Sequence, residues 1–213
     1  MRLSTVRSTL PVFIVALLLF ETVAYLSVTP MYQQRFFQLY VLGPNGTVEN
    51  YYPGNQSVLS VGESMRWSIG VVNDMGLTQL VAVQVKLGNQ TTNPPNDTLG
   101  ESSSAPLVTE FRHFLQANET WEFPFYWQIL NASYDDRSLR VEKLQIDNFT
   151  YVLQNPLTCS GSGPCRLRFI FELWTWNMTA GDFQIGWQNG KYRQIAWLQM
   201  WFSVKPGAQS ANH

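Results

Sequence analysis

The sequence predicts an all-β protein, an antiparallel β-sandwich that follows one apolar N-terminal helix. Apolar and polar residues alternate with a period of two in Trp67–Val71, Val81–Leu87 and Leu167–Leu173, which is typical of strands with one buried face. After residue 30 the sequence shows no long apolar repeat of 3.6 residues. Short alternating runs separated by turn residues indicate two antiparallel sheets packed face to face.

Further strands follow from the same pattern. We expect them at Arg35–Leu42, Thr47–Tyr52, Pro106–Leu115, Trp121–Trp127, Leu139–Ile146, Phe149–Gln154 and Gln194–Val204. Pro124 lacks the N–H that a central strand needs, so it predicts that Trp121–Trp127 is an edge strand or holds a bulge. Asn189-Gly190 predicts a tight hairpin between Phe183–Gln188 and Lys191–Val204. The polar residues from Gly88 to Ala105 predict a long loop.

The first 28 residues predict how the chain meets a membrane. Two arginines precede Leu10–Val28, a nearly continuous apolar stretch whose helical length matches a hydrocarbon core of about 30 Å. We expect residues 10–28 to form a signal-anchor helix and residues 1–9 to lie in the cytoplasm, by the positive-inside rule. The alternative is a signal peptide, with its apolar region at Leu10–Phe20 and cleavage near Thr22-Val23-Ala24.

The remaining chain is expected to form one extracytoplasmic domain, residues 29–205, followed by a disordered tail at residues 206–213. Charge over residues 29–213 is nearly balanced, with 12 Lys and Arg against 14 Asp and Glu. The sequence holds no basic stripe that could meet phosphates, so nucleic acid is not an expected partner.

Glu21 is the one charged residue inside the apolar stretch. A carboxylate in a membrane segment is costly and usually faces a partner or a wet cavity. One interpretation places Glu21 near the outer interface without a role, and the other has it hydrogen-bond a second membrane subunit. No other stretch of this sequence has membrane length, so such a subunit would be another chain.

Eight Asn-x-Ser/Thr triplets indicate a protein that faces outward. None has proline at its middle position, and each is an acceptor for N-linked glycan, which needs an exposed site outside the cytoplasm. The alternative is coincidence in a chain rich in Asn and Thr. The predicted acceptors are Asn45, Asn55, Asn89, Asn96, Asn118, Asn131, Asn148 and Asn177.

The two cysteines, Cys159 and Cys165, bracket a Ser-Gly-Ser-Gly-Pro loop. A disulfide between them would close a hairpin loop, as is expected outside the cell. So short a ring contributes about 2–3 kcal/mol by the loop-length rule. Metal binding is the alternative, but two cysteines without a nearby histidine cannot complete a zinc site.

The sequence predicts no catalytic apparatus, no cofactor and no metal site. His113 is the one histidine before the C-terminal residue, and its alternating context is typical of a surface or half-buried side chain. Asp135-Asp136 could pair as carboxylates or bind calcium, but the segment is first of all a polar turn, and adjacent strand residues point to opposite faces. We find no metal-spaced cluster, phosphate-binding glycine loop or nucleophile elbow.

Aromatic residues make up 14% of the chain, enough to build a core and still form a binding surface. Most fall on alternating positions and are expected in the core. A dense group toward the C-terminus could leave one face exposed for a partner or a sugar. Its members are Trp174, Trp176, Trp187, Tyr192, Trp197 and Trp201.

An ordered series of short segments resembles a known family. The series is Phe37-Gln-Leu-Tyr-Val-Leu-Gly-Pro-Asn-Gly46, Glu49-Asn-Tyr-Tyr-Pro53, Leu59-Ser-Val-Gly-Glu63 and Ile69-Gly-Val-Val-Asn73. It is similar to the opening of the extracytoplasmic domain in an uncharacterised family of archaeal membrane proteins, known as domain of unknown function 1616. Later segments resemble that family too: Asn118-Glu-Thr-Trp121, Phe171-Glu-Leu-Trp174 and Trp197-Leu-Gln-Met-Trp201.

The resemblance covers most of residues 36–204 and departs at the loops 88–106 and 155–165. Many members carry several membrane helices before this domain, whereas this sequence predicts one. The resemblance implies an immunoglobulin-like sandwich at an archaeal cell surface, and it implies no known activity.

These observations predict a non-catalytic, membrane-anchored, N-glycosylated surface protein, acting as a structural or accessory subunit of an envelope or membrane complex. Its expected partners are membrane lipid through residues 10–28, other membrane or envelope subunits, and covalent N-glycans. The alternative is an extracytoplasmic module that binds carbohydrate or another ligand through exposed Trp and Tyr. A third class, an enzyme subunit, gains no support from the residues.

Overall fold

The computed structural model describes residues 3–28, 35–135, 138–160, 165–189 and 192–205. Contacts between Cα atoms divide the chain into two units, Met1–Gln34 and Arg35–His213. The first unit contains a helix and the second contains β-strands.

Helix α1, Leu3–Val28, contains the apolar stretch of the first unit. Its apolar side chains are exposed in the isolated chain, with Phe13 at 71% and Phe20 at 74%. The hydroxyl of Thr22 donates to the Leu18 carbonyl at 2.6 Å. A bond of this kind satisfies a hydroxyl inside an apolar helix without a partner from outside.

The predicted membrane anchor overlaps this helix. Within the described part of the chain, no helix is both long enough and apolar enough to cross a membrane. The anchor predicted at residues 10–28 includes side chains that lie outside the described residues, and it stays a prediction.

Thirteen strands lie within the described residues of the second unit, and they confirm the all-β class. They are β1 (Phe37–Leu42), β2 (Val58–Leu59), β3 (Met65–Asn73), β4 (Gln79–Asn89), β5 (Leu107–Leu115), β6 (Thr120–Asp135), β7 (Ser138–Ile146), β8 (Phe149–Ser160), β9 (Arg166–Asn177), β10 (Asp182–Ile185), β11 (Trp187–Asn189), β12 (Tyr192–Gln194) and β13 (Trp197–Val204). A 3-10 turn, Pro53–Asn55, precedes β2.

The strands form two large sheets and one hairpin. The first sheet has the order β1-β3-β6-β7-β8, and all its pairs are antiparallel. The second has the order β2-β13-β9-β4-β5, with β10 also beside β9, and its pair β2-β13 is parallel. Strands β11 and β12 pair as the predicted hairpin, whose turn residues 190 and 191 lie outside the described residues.

The two sheets face each other across one apolar core. Trp67 of the first sheet lies 5.0 Å from Trp127 of its own sheet and 6.1 Å from Phe169 of the other, between ring centroids. Its indole N–H donates to the Tyr51 carbonyl at 2.7 Å, so the buried donor is satisfied. The largest fully buried side chains are Trp67, Phe125, Phe169, Phe171, Phe202, Leu59, Ile69, Leu87, Leu115, Leu139, Leu144 and Ile146.

Strand order agrees with an immunoglobulin-like sandwich in one sheet only. The order β13-β9-β4-β5 corresponds to the G-F-C sheet with an added C′ strand. In the other sheet, β6, β7 and β8 continue as a meander beyond β3, where an immunoglobulin domain has strands E and D. The finer, immunoglobulin-like assignment therefore stays a proposal.

The strand predicted at Thr47–Tyr52 is wrong, because this segment folds back over Gly43. The Gly43 N–H donates to the Thr47 carbonyl at 2.7 Å, and a Cβ on Gly43 would lie 2.2 Å from the Glu49 carbonyl oxygen. Tyr51 and Tyr52 then pack against the core, which takes the place of pairing with a neighbouring strand.

Pro124 lies in β6 opposite Ser68 of β3. Pairing between β6 and β7 begins only at Trp127, so β6 has one neighbour at Pro124 and two neighbours further on. The predicted edge is therefore correct around the proline, while the strand as a whole is longer and more central than expected.

Candidate functional site: a groove at one end of the sandwich

The predicted glycan acceptors differ in exposure. Two of them, Asn89 and Asn177, are half-buried. Nδ2 of Asn89 donates to the Thr158 carbonyl at 3.0 Å, and Nδ2 of Asn177 donates to Gln184 Oε1 at 3.0 Å. The other six have exposed side chains: Asn45, Asn55, Asn96, Asn118, Asn131 and Asn148. Glycosylation of the eight stays a prediction.

Other predicted site residues are placed only in part. Cys165 is buried, and no cysteine is free among the described residues. Cys159 lies in β8 opposite Leu139, but its side chain is outside the described part, so the disulfide stays a prediction. The role of Asp135-Asp136 is also untested, because their side chains lie outside the described residues. Glu21 is exposed on α1.

His113 has a packing role in an aromatic stack. Its ring lies flat on Trp121, with centroids 4.8 Å apart and an angle of 16° between the planes, and its Nε2 is 3.7 Å from Glu119 Oε1. The stack continues from Trp121 to Phe123 at 4.4 Å and on to Phe111 at 4.8 Å. Among the residues that the structure describes, no group of three His, Cys, Asp or Glu could hold a metal ion.

The predicted aromatic group does not form one surface. Trp187 is buried edge-on to Phe37, with ring centroids 5.3 Å apart, whereas Tyr192 is 77% exposed. The remaining four members are half-buried: Trp174, Trp176, Trp197 and Trp201. These four belong to β9 and β13, on the face of the second sheet that points away from the core.

That outer face buries an ion pair. Lys86 of β4 and Glu172 of β9 lie 2.9 Å apart, Nζ to Oε2, with side chains 7% and 0% exposed. Trp174 Nε1 donates to Glu172 Oε2 at 3.1 Å, and the Ser103 N–H donates to Oε1 at 2.6 Å. Lys86 in turn donates to the Ser103 carbonyl at 3.0 Å. Both charges are thus hydrogen-bonded as well as paired, which burial requires.

The segment between β4 and β5 covers these charges. It is the predicted polar loop, but it lies against the sheet, because the buried charges take backbone atoms of the loop as partners. Trp197 Nε1 donates to Asp97 Oδ1 at 2.7 Å, and Arg168 donates to the Thr92 carbonyl. The loop and the outer face of the sheet therefore form a second buried layer.

Burial shifts the pKa of three side chains. Burial, and then the neighbouring Glu122, raise the pKa of Tyr40 to about 12, and its hydroxyl donates to Glu122 Oε1 at 2.5 Å. Burial also raises the pKa of Tyr52, which donates to the Trp201 carbonyl at 2.7 Å, and lowers the pKa of the Arg168 guanidinium.

A groove of about 860 Å³ lies at the end of the sandwich where β4 begins and β9 ends. Sites for small ligands commonly have about 300–1,000 Å³. Three apolar side chains on its rim, Leu77, Phe114 and Met178, are 43%, 68% and 92% exposed. The rest of the described lining comprises Met75, Thr78, Gln79, Leu80, Thr175, Trp176, Asn177, Gln184, Gly186, Trp187, Gln188 and Arg193.

Asn73 positions two walls of this groove. Its fully buried side chain brings Nδ2 within 2.9 Å of the Leu77 carbonyl and 3.0 Å of the Leu115 carbonyl. Its Oδ1 accepts from the Met75 N–H at 3.0 Å. One amide therefore fixes both the turn that carries Leu77 and the end of the strand that carries Phe114.

Gly186 lets the β11–β12 hairpin, which forms the third wall of the groove, lie close to the end of β9. Its φ is +66°, and a Cβ at this position would lie 1.9 Å from the Gln194 backbone oxygen. The Thr175 hydroxyl donates to the Gly186 carbonyl at 2.6 Å. Glycine alone fits this left-handed, crowded position, and it allows the β11–β12 hairpin to lie against the end of β9.

The groove and the ion pair were both missed by sequence reasoning. The groove takes its lining from five separated segments, 75–80, 114, 175–178, 184–188 and 193, so no local pattern marks it. A weak signal existed for the ion pair, because Lys86 and Glu172 interrupt two of the most apolar strands.

Comparison with known proteins gives distant likenesses. No family model and no curated protein matches the chain. The β-glucosidase from Listeria innocua is 13% identical with a TM-score of 0.37, over 81% of this chain and 16% of that enzyme. The CARDB domain of a Pyrococcus furiosus protein, in complex with di-metal ions, is 11% identical with a TM-score of 0.33, over 82% and 97%. The sporulation control protein Spo0M from Bacillus subtilis is 12% identical with a TM-score of 0.34, over 80% and 49%.

The chain thus spans about a sixth of the length of the β-glucosidase. At these TM-scores the likenesses carry no conclusion about activity, and the resemblance to the archaeal family stays a prediction.

Proposed function

We propose that the chain is a non-catalytic, membrane-anchored, N-glycosylated cell-surface protein, and that it serves as a structural or accessory subunit of an envelope or membrane complex. Residues 10–28 anchor it with the N-terminus in the cytoplasm. The β-sandwich, which we propose to be immunoglobulin-like, then lies outside the cell.

The observation that carries this proposal is the exposure of six acceptor asparagines. A glycan can be added only where the transferase reaches the side chain, as it does on turns and loops. A left-handed backbone offers another reason for asparagine at Asn55 and Asn118, whose φ values are +57° and +60°. It does not explain the asparagines at four other exposed acceptors: Asn45, Asn96, Asn131 and Asn148.

The composition of α1 supports the anchor. A helix that exposes Phe13, Phe20 and Tyr25 by 69–74% places a large apolar surface in water, and lipid would remove that cost. Glu21 would then lie in or near the membrane. A carboxylate in that place favours contact with a polar group of a second membrane subunit.

The proposed disulfide fits the same compartment. Cys159 is the second-last residue of β8, and Cys165 directly precedes β9. A bond between them would therefore join consecutive strands of the two sheets. Bonds of this kind persist outside the cytosol.

Glycopeptide mapping of protein isolated gently from native membranes tests the proposal. We expect glycan on several of the eight acceptors and at least one other membrane protein in the purified material. Eight bare asparagines would contradict the proposal, because the main argument for an outward-facing surface would be lost.

A second candidate function is the binding of carbohydrate, and the groove favours it. Trp176 and several amide side chains line a cavity of suitable size. Binding of full-length protein to immobilised glycans, lost in Trp176→Ala and retained in Tyr192→Ala, would support this function. Equal binding by the two variants would place the site elsewhere.

A further inference from the structure

Of the eight acceptor asparagines, Asn177 is the one among the described residues lining the groove. The next residue of its triplet, Met178, also lines the groove, and the Thr179 N–H donates to Asn177 Oδ1 at 2.9 Å. The side chain is half-buried and forms part of the groove wall. A group attached to Nδ2 would therefore start at this wall.

The amide of Asn177 is held in a fixed direction. Its Nδ2 donates to Gln184 Oε1 at 3.0 Å, and Arg193 Nη2 donates to the same oxygen at 2.7 Å. Attachment of a glycan replaces one of the two Nδ2 hydrogens and leaves the other. The contact with Gln184 is thus compatible with glycosylation, and it would orient the first sugar residue.

We propose that the glycan on Asn177 folds back into the groove and that its first sugar residues cover Leu77, Phe114 and Met178. This inference rests on the proposed N-glycosylation. It assigns one occupant to the groove, the protein's own glycan, in place of a ligand from solution.

The chemistry of the groove suits a saccharide. A sugar ring has C–H faces that pack against apolar side chains and hydroxyls that bond to amides. Among the described lining residues, Arg193 alone is charged, which favours a neutral ligand.

A covered rim also explains the exposed apolar side chains. Met178 is 92% and Phe114 is 68% exposed without the glycan, although both lie at one end of a well-packed sandwich. Exposed apolar patches usually mark a surface that something covers. A tethered glycan is present at high effective concentration, so weak contacts per sugar are sufficient.

The test uses full-length protein from a host that glycosylates it, with the methionine methyl groups labelled for NMR. Met75 and Met178 both line the groove and report on its occupancy. Thr179→Ala removes the glycan but keeps Asn177 and the backbone N–H of residue 179. Thr150→Ala is the matched control, because it removes the acceptor triplet of Asn148 on an exposed turn.

We expect contacts between the Met178 methyl group and sugar protons in the wild-type protein. The Met75 and Met178 signals should shift in Thr179→Ala and stay unchanged in Thr150→Ala. Glycan released from the wild-type protein should shift the Met178 signal when it is added to Thr179→Ala, and not when it is added to wild type.

Four results would overturn the inference. A glycan mapped at Asn177 that gives no contact with Met178 would show that it extends into solvent. A bare Asn177 beside occupied exposed acceptors would refute the inference and leave the proposed function intact, whereas eight bare acceptors would refute both. A wild-type Met178 signal that responds to added glycan as strongly as Thr179→Ala would show an open groove.

Discussion

Both faces of strand β9 are buried from residue 167 to residue 173, and the two faces differ in their chemistry. On the inner face, Phe169 and Phe171 are 0% exposed and pack around Trp67. On the outer face, Glu172 is also 0% and Arg168 only 5% exposed. Apolar contacts bury the inner face, whereas the loop between β4 and β5 buries the outer one and supplies its hydrogen bonds.

Alternation of apolar and polar residues predicts only part of this arrangement. A period of two predicts which side chains share a face of a strand. It does not predict which face meets water, since a loop from elsewhere can cover the polar face. The stability of the inner face depends on the shape and area of its apolar contacts. The stability of the outer face depends on a partner for every buried charge.

Truncation at the centre of the inner face should have the largest effect. Trp67→Ala should lower the free energy of unfolding by about 3–5 kcal/mol, because it leaves a cavity among rings from both sheets. Urea unfolding followed by circular dichroism measures the change. Phe149→Ala is the control: its ring is 68% exposed, and we expect a change within about 0.5 kcal/mol.

Breaking the ion pair on the outer face should lower the free energy of unfolding almost as much. Lys86→Met leaves Glu172 buried without its cation and should lower stability by about 3 kcal/mol. Lys143→Met makes the same change at an exposed position of β7 and should be nearly neutral. Equal effects of the two variants would show that Lys86 is not buried under the loop.

The packing of the loop itself can be tested with two glycines. Both Gly100 and Gly46 have a left-handed backbone, with φ of +65° and +73°. A Cβ added at Gly100 would lie 2.9 Å from Arg193 Cδ, whereas a Cβ added at Gly46 would meet nothing within 4 Å. Replacement by alanine should lower the free energy of unfolding by about 1 kcal/mol at either position, because a left-handed backbone is unfavourable for a residue with a Cβ. We expect Gly100→Ala to lower the free energy of unfolding by roughly 1 kcal/mol more, through overpacking against Arg193 of β12. A vanishing difference would mean that the loop stands away from the β11–β12 hairpin.

The smallest expected effect concerns alkaline pH. The pKa of Tyr40 is raised to about 12 in the folded protein, above about 10 in an unfolded chain. The contribution of protonated Tyr40 to the free energy of unfolding is therefore complete below about pH 10 and is lost as the pH rises toward about 12. Tyr40→Phe should be slightly less stable than wild type at pH 8, and the gap should close toward pH 12. A gap that stays constant across this range would contradict the raised pKa.

Much of the sandwich could be predicted because its strands obey local rules. The runs at Trp67–Val71, Val81–Leu87 and Leu167–Leu173 all lie within observed strands, since each alternates toward one shared core. The pairing of β11 with β12 was predictable for a similar reason, because an Asn-Gly pair between two alternating runs is a local hairpin signal.

The errors arose where distant contacts decide the structure. Thr47–Tyr52 has the composition of a strand, but Tyr51 and Tyr52 pack their rings against the core, and the segment pairs with no strand among the described residues. Asn73 looked like one more polar residue at a strand end. Its role in the groove depends on carbonyls of residues 77 and 115, and the second of these is 42 positions away.

The candidate site was predicted only as separate residues. The sequence predicts Asn177 as an acceptor and places Trp176 and Trp187 in an aromatic group that could expose one face, yet nothing in their spacing joins them to Leu77 or Phe114. The groove exists because β4, β5, β9 and the β11–β12 hairpin end at the same place.

We propose that this chain is a membrane-anchored glycoprotein with its β-domain outside the cell. The most direct measurement is the intact mass of the protein recovered from native membranes after an alkaline carbonate wash. We predict a mass that includes residues 1–24 and exceeds the polypeptide mass by one or more whole glycans. A mass that begins at Tyr25 and carries no glycan would contradict both the anchor and the outward-facing surface.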